Sequence, residues 1–196
     1  FVKVWYDQSG NSNDATQTDT AKQPQIVSSG AVIVENGKPA VEFDGSNDAF
    51  DLTGFTNSAS DYSLFSVNQA NAVTYFLFDS LTGRLIFDGR GSGTFGAIYS
   101  GSWHGSRHSG TTQQLQEFFA VSPSGPTYIN GTQINSSVAY TQKPIGGDTA
   151  IGSTYNQQSI FFQGSIQELI LYPSDQNGAG NRTNIETNIN TFYNIY

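Results

Sequence analysis

The chain has 196 residues and a formal net charge of −8, with charged residues making up only 12% of it. That is about half the usual share, and Ser, Thr, Asn and Gln fill more than a third of the positions, so the surface is expected to be neutral and hydrogen-bonding. The excess of acid over base excludes a phosphate-binding face, and with it nucleic acid as a partner. The longest apolar runs fall far short of the ~18 residues that insertion into a membrane needs. Aromatic residues at 13% argue against disorder, and the absence of Cys removes disulfides and thiolate metal sites.

In chain order, the pattern is one of short strands. Phe1 to Tyr6, Ala40 to Phe43, Tyr62 to Val67, Thr74 to Phe78, Arg84 to Phe87 and Phe95 to Tyr99 carry aromatic and β-branched residues with period-2 alternation. Glu117 to Val121, Thr127 to Ile129, Ser159 to Phe162 and Ser165 to Tyr172 follow the same rule. Between them stand the turn dipeptides Asn36-Gly37, Asp44-Gly45, Asp88-Gly89 and Asn130-Gly131. The last predicts a tight hairpin, because both residues tolerate φ > 0. After Pro173-Ser174-Asp175 the period changes: Ile185, Ile189, Phe192 and Tyr196 are spaced for one face of a helix. The prediction is an all-β antiparallel sandwich of jelly-roll type, one domain over residues 1–196, closed by a short C-terminal helix. The start at Phe1, in mid-pattern, reads as a domain of a longer protein.

Four stretches bear on function. Asp7 to Asp14 packs oxygen-bearing side chains into a loop after a strand, and Asp7, Asn11, Asn13 and Asp14 are the candidate metal ligands. A structural Ca²⁺ is the ion such oxygens suit, although no cofactor is required. The alternative is a self-capped loop whose Asp and Ser side chains accept nearby backbone N–H groups. Lys38 to Asp48 is a strand running into an Asp-Gly turn. In Phe162 to Tyr172, strict alternation places Glu168 with Ile166 and Ile170. Finally, Tyr99 to His108 is a Gly/Ser-rich loop holding an aromatic pair and both histidines. Sugars lay their C–H faces on aromatic rings, so Tyr99, Trp103 and Tyr155 are candidates for stacking, with His104, Arg107 and Asn156 bonding hydroxyls.

Trp5 to Gln17, Lys38 to Asp48 and Phe162 to Tyr172, with the tail to Tyr196, together resemble concanavalin A-like (laminin G-like) jelly-roll domains of bacterial and phage surface proteins. The opening is also distantly similar to the family 54 α-L-arabinofuranosidase fold. Such retaining enzymes need two carboxyl groups ~5 Å apart. Here Ile151 to Ser159, which matches the stretch of their acid/base, contains no Asp or Glu, the nearest nucleophile candidates are Asp79 and Asp88, and their vicinal cysteines are missing. Gln167 stands where many laminin G-like members carry a calcium-site Asp. No catalytic residue is assigned.

The resemblance therefore implies a non-catalytic module, not an enzyme, that binds a surface glycan or polysaccharide for adhesion in an extracellular or virion protein. The alternative is a structural or decoration subunit of a fibre, capsid or filament, in which the chain forms a homo-oligomer or larger assembly. A glycoside hydrolase is the minor alternative.

Overall fold

The computed structural model describes residues 1–57, 61–71, 77–82, 85–86, 95–99, 103–106, 112–121, 124–139, 145–178 and 180–196. Six antiparallel strands form the larger sheet, in the spatial order Thr132–Ala139, Ser124–Ile129, Gln114–Ala120, Tyr62–Ala70, Gln163–Tyr172, Val41–Asp44. Facing it is a sheet of five short strands, Val4–Trp5, Ala15–Thr16, Phe50–Asp51, Gly146–Ile151 and Phe78–Thr82. A third sheet pairs Leu85–Ile86 with Phe95–Tyr99 and Phe95–Tyr99 with Trp103–Ser106. The fold is thus an all-β antiparallel sandwich with one C-terminal helix, Asn181–Tyr193.

Alternation divides the apolar residues between two cores. From the central strand, Tyr62 and Leu64 point between the sheets, where they meet Phe43, Phe50, Phe78 and Phe162. Phe65 and Val67 point the other way, and with Leu115 and Phe119 they receive Ile189 and Tyr193 of the helix. Edge-to-face ring pairs run through both cores, Phe43 against Phe162 at 5.7 Å and Phe65 against Phe119 at 5.7 Å, a geometry that adds to simple burial.

Local chemistry accounts for the turns. Asn130 and Gly131 take φ of 49° and 69°, as a hairpin of type I′ requires, and Ile129 pairs with Thr132 across them. Asp44 accepts the backbone N–H groups of Ser46, Asn47 and Asp48 on one carboxylate oxygen, at 2.7, 3.1 and 3.3 Å, so this is a structural turn.

Four expectations need correcting. Ser159 to Phe162 is not a strand. Ile160 sits at φ 55°, and the segment folds back so that Thr154 N–H donates to Ser159 O and Phe162 N–H to Gly152 O. The helix buries Glu186, Ile189 and Tyr193, whereas Phe192 and Tyr196 remain 55% and 53% exposed. The helix stops at Tyr193 because Asn194 turns left-handed at φ 52°, so Tyr196 leaves the helical face. Trp103 begins a strand, its backbone opposite Tyr99, instead of lying in a loop. Of Thr74 to Phe78 most positions lie outside the described residues, and the strand there begins at Phe78.

The fourth correction matters most for function. The long strand carries a bulge: Ile166 pairs with Asn68, yet Glu168 pairs with Val67, leaving Gln167 as the additional residue. A bulge of one residue reverses the facing of everything beyond it. Ile166, Leu169 and Leu171 therefore all face the inter-sheet core, while Ile170 and Tyr172 face the helix. Glu168 shares the helix side with Ile170 and is separated from Ile166. Gln167 is held in the bulge by its amide, which donates to the carbonyls of Glu35, Lys38 and Pro39 at 3.1, 3.0 and 3.3 Å.

Candidate functional site

Beyond Ile166 the long strand loses its outer neighbour, since Val41–Asp44 pairs only with residues 163 to 166. At this open edge the two sheets part and leave a cleft of about 1050 Å³. Its floor is apolar: Leu52, Phe55, Phe78, Ile151, Leu169 and Leu171. Its rim comes from the N-terminal hairpin, where Trp5 and Tyr6 stand beside Asp7, Gln8, Asn11 and Asn13 of the loop joining its two strands, and from Glu168. Trp5 is half-buried and anchored edge-on against Phe50 at 5.9 Å. Tyr6, next in the chain, points outward and is 65% exposed.

The loop is rigid through its own hydrogen bonds. One Asp7 carboxylate oxygen accepts from Ser9 N–H at 2.7 Å, and the other accepts from Ser9 Oγ–H at 2.8 Å and from Asn13 N–H at 2.9 Å. Asp7 N–H donates to Asp14 Oδ1 at 2.8 Å, and Asn11 donates through N–H and Nδ2 to Ser9 Oγ. The Asn13 and Ser9 N–H groups hold the Asp7 carboxyl below the usual carboxylate range, so it stays anionic at neutral pH. Of the candidate metal ligands, Asp7, Asn11 and Asn13 thus border the cleft, with Asp14 bonded behind them. Backbone donors occupy the Asp7 oxygens that a Ca²⁺ ion would have to coordinate. Among the described residues no group of three or more His, Cys, Asp and Glu gathers as a metal site.

Glu168 is the second carboxyl of the cleft. Burial raises its pKa, and a hydrogen bond from the Tyr193 hydroxyl opposes the rise. That hydroxyl also lies 3.4 Å from Gln167 O. Burial, and then the Glu168 charge, push the Tyr193 phenol up to about 12, so it keeps its proton and can donate at neutral pH.

Of the other candidate residues, Tyr155 and Asn156 do not line the cleft. Tyr155 is half-buried, and its N–H donates to Asp79 Oδ2 at 3.0 Å. Asn156 is exposed and accepts from Thr154 Oγ1 at 2.8 Å. Tyr99, Trp103 and His104 lie on paired strands of the separate three-stranded sheet, but their side chains, like all of Arg107, lie outside the described residues. Trp5 and Tyr6 are the site residues that the sequence reading missed, and Glu168 is one that it singled out without assigning to a site. An aromatic pair directly preceding an amide-rich loop was the available signal.

The fold also joins two acids that sequence spacing keeps apart. Glu117, only 2% exposed on the outer face of the larger sheet, meets Glu186 of the helix. Arg182 bonds Glu186, stands 3.9 Å from Glu117, and lies 4.0 Å from the centre of the Tyr128 ring. One cation thus serves two buried carboxyl groups. Burial first, and then the hydrogen bonding and charge of Glu186, push Glu117 up to about 9, against the pull of Arg182. Glu117 is therefore a neutral acid at pH 7. A second, polar concavity of about 570 Å³ lies beside this pair, lined by Glu186, Thr187, Asn190 and Tyr196.

No protein-family model matches the sequence, and no curated protein does. Solved structures of similar fold are those of the Trypanosoma rangeli sialidase. In complex with sialic acid it superposes with a TM-score of 0.62 at 13% identity, over 96% of this chain and 32% of that one. In complex with the inhibitor DANA the values are 0.57 and 14%, over 98% and 31%. A mutant displaying trans-sialidase activity gives 0.61 and 13%, over 96% and 32%. At such identities the likeness concerns the fold, and the chain spans about a third of the length of these proteins. It nevertheless overturns one expectation. The sequence implies a chain that is not an enzyme, whereas these solved structures of similar fold are those of an enzyme, a sialidase. No helix among the described residues is long and apolar enough to cross a membrane.

Proposed function

We propose that this chain is a carbohydrate-recognition domain of a glycan-processing or glycan-adhering protein, concanavalin A-like in type and at work outside the cell or on a virion. The observation that carries this reading is the outward Tyr6 ring beside Trp5, at the mouth of an apolar-floored cleft rimmed by amide and hydroxyl side chains. A pyranose or furanose ring offers an apolar C–H face and a rim of hydroxyls, and ligand sites pair an apolar lining with a few placed polar groups. The fold shared with sialidases supports the same class of ligand.

The test is titration of immobilised oligosaccharides with the wild-type chain and with Tyr6→Ala. Removing an exposed ring leaves the thermal midpoint unchanged, because the ring contributes little to either core. Loss of a stacking aromatic is expected to weaken binding at least tenfold, about 1.4 kcal/mol. Equal binding by the variant, or no binding to any glycan of a broad panel, would overturn the proposal.

A further inference from the structure

The charges around the cleft narrow the class of glycan, given the carbohydrate reading above. Asp7 and Glu168 are the carboxyl groups that line it, and among the described residues no Lys, Arg or His does. Asp14 adds a third carboxylate behind Asp7, at 2.8 Å from the Asp7 nitrogen. Asp7 cannot swing away from an incoming anion, since three donors hold its two oxygens in place. Nor is it easily neutralised, because those donors stabilise its charged form. The chain as a whole carries −8, so the long-range field repels anions as well.

A sugar carboxylate or sulfate is normally met by Arg or by a cluster of cations. Here it would enter beside fixed carboxylates, over a floor of low polarity where screening is poor. Neutral hydroxyls meet no such barrier. The rim offers them the amides of Gln8, Asn11 and Asn13, while the Asp7 and Glu168 oxygens accept from sugar O–H groups. We infer that the cleft selects glycans without acidic groups and excludes sialylated, uronic and sulfated chains. The specificity would then be opposite in charge to that of the sialidase complex with sialic acid, although the fold is similar.

The experiment compares matched pairs on the full chain: lactose with sialyllactose, and a galactose trimer with a galacturonic acid trimer, by calorimetry at 50 mM and at 500 mM NaCl. The expected result is binding of the neutral member at least tenfold tighter than its acidic twin, with the gap narrowing at high salt as screening grows. Glu168→Gln is expected to reduce the discrimination, read as the ratio of neutral to acidic affinity for each matched pair. Equal or tighter binding of the acidic members overturns this inference and leaves the carbohydrate reading intact. Silence from all four ligands, repeated on a broad panel, overturns the carbohydrate reading and this inference with it.

Discussion

Glu117→Gln tests the electrostatics under the helix. In the unfolded chain a glutamate ionises near 4.5, whereas in the folded protein burial and Glu186 push Glu117 up to about 9. Between those two pH values the folded state holds a proton that the unfolded state has released. Stability from this site is therefore fully present below pH ~4.5, falls as pH rises, and is lost on passing through about 9. Each pH unit in that window corresponds to about 1.4 kcal/mol. Keeping the carboxyl neutral at pH 7 thus costs about 3 kcal/mol relative to pH 4.5. Glutamine is neutral in both states, nearly isosteric, and its N–H can donate to Glu186. The variant is expected to match wild type at pH 4.5 and to exceed it by about 3 kcal/mol at pH 7, raising the thermal midpoint by on the order of 10 °C. Urea unfolding at half-unit steps from pH 4.5 to 8.5 measures both curves. A wild-type curve parallel to that of Glu117→Gln across the range would refute the buried-acid argument.

Three further outcomes are expected. Removing the cation by Arg182→Met takes away the shared partner of the buried Glu117 and Glu186 carboxyl groups and loses the stacking on Tyr128 at 4.0 Å; the cost should be about 3 kcal/mol in denaturant unfolding at pH 7, and a change under 1 kcal/mol would show the cluster to be slack. Gly164→Ala should destabilise by at least ~2 kcal/mol, because its backbone sits at φ 143° and a Cβ there would lie 2.0 Å from Gln69 O; a neutral effect on the urea midpoint would contradict that close approach. Burial, and after it the Asp44 and Glu42 charges, push the Asp48 carboxyl up to about 6 against the bond from Asp44 N–H, so stability from this group is lost as pH rises from about 4 through about 6, and Asp48→Asn should flatten the stability profile in that interval. An unchanged slope between pH 4 and 6 would refute it.

Much of the architecture was legible in the residue order, since its signals are local. Period-2 alternation depends only on neighbouring side chains, so Tyr62 to Val67 and Ser165 to Tyr172 declared themselves strands, and Asn130-Gly131 a hairpin turn, without reference to the rest of the chain. The Asp44 turn is likewise complete within five residues, as are most of the hydrogen bonds between Asp7 and Asn13. Tertiary structure decided the rest. The bulge at Gln167 exists because carbonyls from Glu35, Lys38 and Pro39 converge on its amide, and nothing within the strand announces the reversal it imposes on Glu168. The meeting of Glu117 with Glu186, and of Trp5 with Phe50, arise from packing between segments far apart in sequence. Such contacts depend on which surfaces remain free once both cores have closed, and short-range pattern carries no information about that.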